Sequence, residues 1–455
     1  MNLRYGIAFS QLYERGGLLA LDRLFLQELG TASPELLEQL RQAREQPESL
    51  TALQESTLLI ALGPHLENFI AGLFGIEDAL AALETAHHEL APLYIMKRQF
   101  VQRAAAKNIR SEEAQSIDGP ALREQLAAWF GGAFDELTFA RTVQQWLQDK
   151  DANAEKLETA RRYAGWAVHT AAGQAYHRGD ILFRVPHGVD PMDLVPTARK
   201  TGQDGHCAFT IDPAHIRRRE GFALTDSGMG LRGALDQANY CIFCHEQGRD
   251  SCSKGLKEKA PKDAPPLTGK NRFRKSVFQV TLAGCPLSEK ISEFHQLKAS
   301  GHAIAALAMI VVDNPMVAAT GHRICNDCLK ACIYQKQDAV DIPQIETRSL
   351  KDVLELPYGF EVYSLLTRWN PLNLRRPYPR ERTGYRVLVT GLGPAGFTLA
   401  HYLMNEGHTV VGIDGLKIEP LPPHIGGVAA GGERVAFVPV RDIGTNATQI
   451  GRAHV

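Results

Sequence analysis

Apolar residues recur at helical spacing through the first 178 positions. Leu18, Leu21 and Phe25 form one stripe, with Gly30 as its expected stop. Ser33-Pro34 reads as an N-cap with proline at the first helical position, and Leu36, Leu37 and Leu40 carry the next stripe. Ala-rich helical stretches follow to about Gln174, with His87-His88 on an expected solvated face. After Gly179 the pattern changes. Ile181–Val185 predicts a short strand, and Pro186, Pro191 and Pro196 punctuate the stretch to about Ala223. A proline-rich stretch, Asn370–Gly384, precedes a last pattern of strand (Val387–Thr390), helix to Glu406 and strand (Thr409–Ile413). The expected division is a helical domain at 1–178, a mixed connecting segment at 179–230, a cysteine-bearing region at 231–356, a linker at 357–384 and a partial nucleotide-binding α/β fold at 385–449.

The composition is that of an ordinary globular chain: 455 residues, 44% apolar and 22% charged. Fifty Lys and Arg against 51 Asp and Glu give a net charge of -1, so no nucleic-acid partner is expected. The longest purely apolar run, Ala303–Val312, has ten residues, short of the ~20 of a bilayer span. No membrane span is expected, and with no apolar signal core at the N-terminus the expected location is cytoplasmic.

Cysteine placement changes the picture. Seven of eight cysteines fall between Cys241 and Cys332, while Cys207 stands apart and is expected to serve packing. The groups are Cys241-Ile-Phe-Cys244 with Cys252, Cys285-Pro286, and Cys325-Asn-Asp-Cys328 with Cys332. Two-residue spacing lets consecutive thiolates turn back onto one centre. A zinc site would pair Cys241/Cys244 with Cys325/Cys328, far beyond the ~15–20 residues usual between zinc-ribbon pairs, and leaves Cys252, Cys285 and Cys332 unused. Seven thiolates and one other ligand suit two iron–sulfur clusters, with Cys285-Pro286 placed like the crossing ligand of two-cluster ferredoxins. Basic residues flank the polar insertion Ala260–Gly269: Lys254, Lys257, Lys259, Lys262, Lys270, Arg272, Arg274 and Lys275. A solvated loop is the expectation there, with docking of an acidic redox partner as the alternative.

Between the two final strands lies Gly391-Leu-Gly393-Pro394-Ala395-Gly396, and the second strand ends at Asp414. Gly391 permits the tight turn, Gly393 lets a pyrophosphate approach, and Gly396 lets helix and strand pack closely. The helix N-terminus favours phosphate, and Asp414 can accept from ribose hydroxyls. The pattern alone does not separate FAD from NAD.

The cysteine region resembles the iron–sulfur domain shared by the glutamate synthase small subunit and dihydropyrimidine dehydrogenase. Three passages carry the likeness: Gly284–Ile291, Asn314-Pro315 with Thr320–Cys325, and Asp341–Glu346. The resemblance implies an α-helical double-cluster domain. It implies one [4Fe–4S] cluster on Cys241, Cys244, Cys252 and Cys332, and a second on Cys285, Cys325, Cys328 and Glu346. The intervals from Cys244 to Cys252 and from Cys252 to Cys285 are longer than the family's. The Gly-Pro-Ala-Gly form resembles the FAD fingerprint of the pyridine nucleotide–disulfide oxidoreductases, although no cysteine follows Cys332 to make a redox disulfide. The helical N-terminus is similar to the extension on large bacterial FAD-dependent oxidoreductases. The implied role is an oxidoreductase carrying electrons between NAD(P)H, FAD and two clusters to a redox partner or small-molecule substrate. The alternatives are a glutamate-synthase-type electron-input subunit and a non-enzymatic zinc scaffold. Ile450–Val455 reads as a translated sequencing adapter, so the expectation is a fragment, inactive alone, whose gene continues past Gln449.

Overall fold

The structure is a computed structural model. It describes residues 3–195, 197–211, 216, 221, 228–258, 273–415, 422–429, 431–436 and 438–441. Most of the basic insertion (259–272) and the segment 450–455 lie outside these residues.

Four helices open the chain: α1 (Arg15–Ala32), α2 (Pro34–Glu45), α3 (Ala52–Phe74) and α4 (Glu77–Glu89). Gly30 does not stop α1. A Cβ there would meet Leu37 Cδ2 at 2.8 Å, so this glycine admits a close crossing with α2. Helix α3 begins with a capping box, in which Thr51 Oγ1 accepts from Gln54 N and Gln54 Oε1 accepts from Thr51 N. It ends at Gly75, which adopts φ 65°. Among the described residues α3 is long and apolar enough to cross a membrane, and 67% of that apolar window is buried in the protein.

The next helices are α5 (Ala91–Met96), continued by π-helical turns at Lys97–Ala106, α6 (Ser111–Gln115), α7 (Gly119–Phe130), α8 (Glu136–Trp146), α9 (Ala154–His169) and α10 (Ala171–Tyr176). The first 178 residues therefore divide between two cores. Residues up to Leu80 share one with the cysteine region, and Leu93–Phe183 build another that Leu235 joins. Periodicity identifies a helix's apolar face but not the face it meets, which is why one domain was expected here.

Ile181–Val185 is not a strand. The buried Glu136 carboxylate accepts from the N–H groups of Ile181 and Leu182, at 2.8 and 2.7 Å. That bend drops Leu182 and Phe183 into the second core, where Phe183 meets Phe139 and Tyr163. An exposed antiparallel hairpin follows, β1 (Thr197–Thr201) with β2 (Cys207–Ile211). Cys207 is exposed on β2 and packs into no core.

The cysteine region contains α11 (Leu231–Tyr240), α12 (Ser251–Lys254), α13 (Ile291–Ala299), α14 (Ala303–Asp313), α15 (Val317–Ile324), α16 (Asp327–Ala331), α17 (Ile342–Leu354) and α18 (Gly359–Leu366). Helix α3 is built into it. Gly63 lets α3 approach Leu297 and Ala305, and Glu67 accepts from the N–H groups of Ile304 and Ala305, closing the N-terminus of α14. His87 is buried rather than solvated, because α4 lays it against Lys298 of α13. The 357–384 segment also enters this core. Trp369 is buried between Phe25 and Phe69, and its Nε1 donates to Asp22.

Last come β3 (Arg386–Thr390), α19 (Pro394–Asn405) and β4 (Thr409–Ile413), with β3 and β4 parallel. Helix α19 is tied to the helical core: Tyr402 Oη donates to Asp313 O at 3.2 Å, and Asn405 Nδ2 to Thr367 O at 3.3 Å.

Candidate functional site

Of the seven clustered cysteines, Cys252 and Cys328 sit in the short helices α12 and α16 and the others on the segments around helix ends, and all are free thiols. Phe243 adopts φ 51°, a left-handed turn that carries the chain from Cys241 back to Cys244. Gly248 and Gly255, also at positive φ, return it to Cys252 and onward. Cys332 ends α16. Cys241, Cys252 and Cys332 are buried, and burial raises all three thiols, Cys241 to about 12. Cys241 is raised further by Cys244 and Cys332, and Cys252 by Cys332 and Cys241. Burial lifts Cys244 to about 11, again with Cys332 nearby. These four form one neighbourhood.

Cys285, Cys325 and Cys328 form the other. Burial raises Cys285 to about 11 and raises Cys328 further. Cys285 also feels Cys325, and Cys328 feels Cys285 and Glu346. Glu346 is a buried side chain of α17, not a solvated carboxylate. Asn314 Nδ2 donates to its Oε1 at 2.8 Å, while Thr320 donates to Asn314 Oδ1 at 2.9 Å. The residues of the Asn314–Thr320 passage therefore orient Glu346.

The two neighbourhoods touch through backbone. Cys285 N donates to Cys252 O at 2.8 Å. Gly284, at φ 82°, makes this approach possible, because a Cβ there would lie 2.6 Å from Gly255 N and 3.0 Å from Cys252 O. Among the described residues no three His, Cys, Asp or Glu side chains are gathered tightly enough to hold a single metal ion.

Two carboxylates joined to these groups escaped the sequence reading. Asp250 Oδ1 accepts from Cys252 Sγ at 3.2 Å, and burial raises Asp250 to about 6. Glu289 is buried beside Glu346 and Cys285, and burial keeps its carboxyl well above the usual range. Its place four residues after Cys285 was the available signal.

At the glycine turn between β3 and α19 Gly391 takes φ 89°, and Gly393 caps α19 ahead of Pro394 and Ala395. A Cβ on Gly396 would fall 1.8 Å from Gly391 O, so only glycine fits. A Cβ on Gly393 meets nothing within 4 Å, leaving open space at the helix N-terminus. Asp414 Oδ2 accepts from Leu392 N at 2.5 Å, which brings the acid to the turn. Tyr402 reaches the backbone of Asp313, next to the Asn314 that holds Glu346, so α19 is anchored beside the second cysteine group.

A family model described as the RP005 N-terminal alpha-helical domain matches residues 3–75. Uncharacterized protein RP005 of Rickettsia prowazekii (strain Madrid E) is 29% identical over 306 residues, 66% of this chain and 99% of the relative. Uncharacterized protein RP006 of the same organism is 69% identical over 106 residues, 23% of this chain. Part of the chain is similar to the glutamate synthase small chain. The glutamate synthase [NADPH] small chains of Mycobacterium tuberculosis (strain CDC 1551 / Oshkosh) and Bacillus subtilis (strain 168) are each 33% identical, over 128 and 130 residues. Those stretches are 28% of this chain and 23% of either relative. The chain thus spans nearly all of RP005 but only 15% of RP006 and about a quarter of the small chains. No solved structure matches.

Proposed function

We propose that the chain belongs to an iron–sulfur flavoprotein oxidoreductase that moves electrons between NAD(P)H, FAD and two [4Fe–4S] clusters and a partner or substrate. The observation that carries this reading is the pairing of two thiol neighbourhoods through the Cys285–Cys252 hydrogen bond, with α19, the helix that follows the glycine turn, anchored through Tyr402 beside the second. The partial likeness to the glutamate synthase small chain supports an oxidoreductase.

The donor sets fit the cofactors. Buried thiols that repel one another as thiolates favour bound metal, which takes the thiolate form. Cys241, Cys244, Cys252 and Cys332 would hold one cluster, and Cys285, Cys325, Cys328 and Glu346 the other. When bound, flavin accepts a two-electron hydride and iron–sulfur centres carry single electrons. The chain's own part is to hold and partly insulate: Asn314 orients Glu346, burial keeps water from Cys241, Cys252, Cys328 and Cys332 while Cys325 stays exposed, and the Gly393 opening receives a pyrophosphate. We place this chemistry in the cytoplasm.

The test is the anaerobic absorption spectrum. The reading expects a broad brown band with flavin peaks superimposed, both bleached on reduction. A colourless protein carrying zinc contradicts it.

A further inference from the structure

A cavity of about 560 Å³ lies behind the first cysteine group, apart from the thiols and the nucleotide turn. Its volume is in the ~300–1,000 Å³ range of small-molecule sites. One wall is Tyr240, the residue before Cys241. Its ring stacks on Tyr334, two residues after Cys332, with centroids 4.6 Å apart. Leu329 and Lys330, between Cys328 and Cys332, continue this wall. A ligand here would sit against the loops that carry Cys241 and Cys332.

The opposite wall is a turn whose apolar side chains are half exposed or more: Val277 at 62%, Phe278 at 59% and Val280 at 55%. Three such side chains on one turn cost solvation unless something apolar covers them. The charges in the lining cancel: Lys97, Arg184 and Lys330 stand against Asp236, Asp338 and Asp341. Lys97 is held by both oxygens of Asp236 at 2.7 and 2.8 Å, and Lys330 by Asp327 at 2.9 Å. Arg184 Nη2 lies 4.0 Å from Asp338 Oδ2, so each lining cation faces a carboxylate. Gln237 and Gln335 also line the cavity. The Gln237 carbonyl accepts from Asp341 N at 2.9 Å, which turns its NH₂ into the available donor. The cavity asks for a neutral, flat, apolar molecule that accepts hydrogen bonds.

We propose that this cavity binds a quinone. Its role as electron acceptor rests on the proposed redox function; binding alone does not. Reduction to the hydroquinone takes two electrons and two protons. NAD(P)H gives both electrons and one proton as hydride, and solvent gives the second proton.

The experiment is calorimetric titration of the full chain, purified anaerobically, with 2,3-dimethyl-1,4-naphthoquinone, whose quinone ring has no open carbon for thiol addition. Saturable one-site binding is expected. Val280→Trp and Val277→Trp, both on the exposed turn, should each fill the cavity and weaken binding at least tenfold with circular dichroism unchanged. The proposal is overturned by no saturable binding, by two folded variants that bind as well as the parent, or by 2,3-dimethylnaphthalene binding as tightly as the quinone. Iron and sulfide counts on the same sample report the redox function separately. A sample that lacks both yet binds the quinone supports the site and removes the clusters.

Discussion

Replacing Asp352 by Leu should destabilise the helical core by about 3–5 kcal/mol, the cost of stranding one partner of a buried ion pair. Asp352 of α17 and Lys298 of α13 are both wholly buried and paired directly. Lys298 Nζ also donates to His87 Nε2 at 3.0 Å, and Arg348 Nε to Asp352 Oδ1 at 2.6 Å. Burial pushes His87 down to about 4, so it is neutral at pH 7. Its Nδ1–H donates to Leu83 O at 2.7 Å, which leaves Nε2 as the acceptor. Burial, with the Arg348 charge adding to it, lowers Lys298 to about 7. With Asp352 gone, Lys298 must lose its proton or sit charged in an apolar interior, and Arg348 loses its inner partner. Urea unfolding followed by circular dichroism measures the loss. Lys298→Met combined with Asp352→Leu removes both charges and should recover most of it, leaving a coupling of at least 2 kcal/mol in the double-mutant cycle. Single variants costing under 1 kcal/mol, or additive ones, would refute the claim that this network fastens α4 to the cysteine region.

The other predictions are independent of that network. Cys332→Ser should remove one iron–sulfur signal in electron paramagnetic resonance and keep the other; loss of both or neither contradicts the partition. Gly393→Val should fill the open space at the α19 N-terminus and abolish flavin retention, while Asp414→Ala should weaken it by about 1.5–3 kcal/mol, the worth of a hydrogen bond to a charged group. Retained flavin in both variants rejects the assignment. Trp369→Ala should cost about 3–5 kcal/mol in urea unfolding, because its ring fills the space between Phe25 and Phe69. A loss below 1 kcal/mol means that the 357–384 segment does not share the core. The hydrogen bond to Glu67 raises His302, so its stabilisation is complete below ~pH 6.5 and fades as pH rises through the folded value. The stability gap between parent and His302→Asn should therefore narrow above neutral pH; a gap that widens there is the wrong sign.

The cysteine loops and the glycine turn between β3 and α19 were legible because their geometry is local. Two-residue cysteine spacing, and two glycines before a helix with a third in its first turn, each specify a loop from a few adjacent residues. Glu289 and Asp250 were not legible, because a carboxylate becomes part of such a site only when distant elements bury it. The same limit hid the two cores: nothing in the Leu18–Phe25 stripe says that Phe25 meets Trp369. Ile181–Val185 has a strand's composition, but the long-range Glu136 carboxylate decides its backbone. His87 looked solvated beside His88 because an adjacent pair spans both sides of a helix surface, and only the packing of α13 selects which side is inside.

The most direct test is a count of iron, acid-labile sulfide and flavin in the full chain purified without oxygen. The proposed function predicts about eight irons and eight sulfides per chain, the content of two four-iron clusters, with flavin bound at the Gly391–Gly396 turn. Stoichiometric zinc with no sulfide contradicts it.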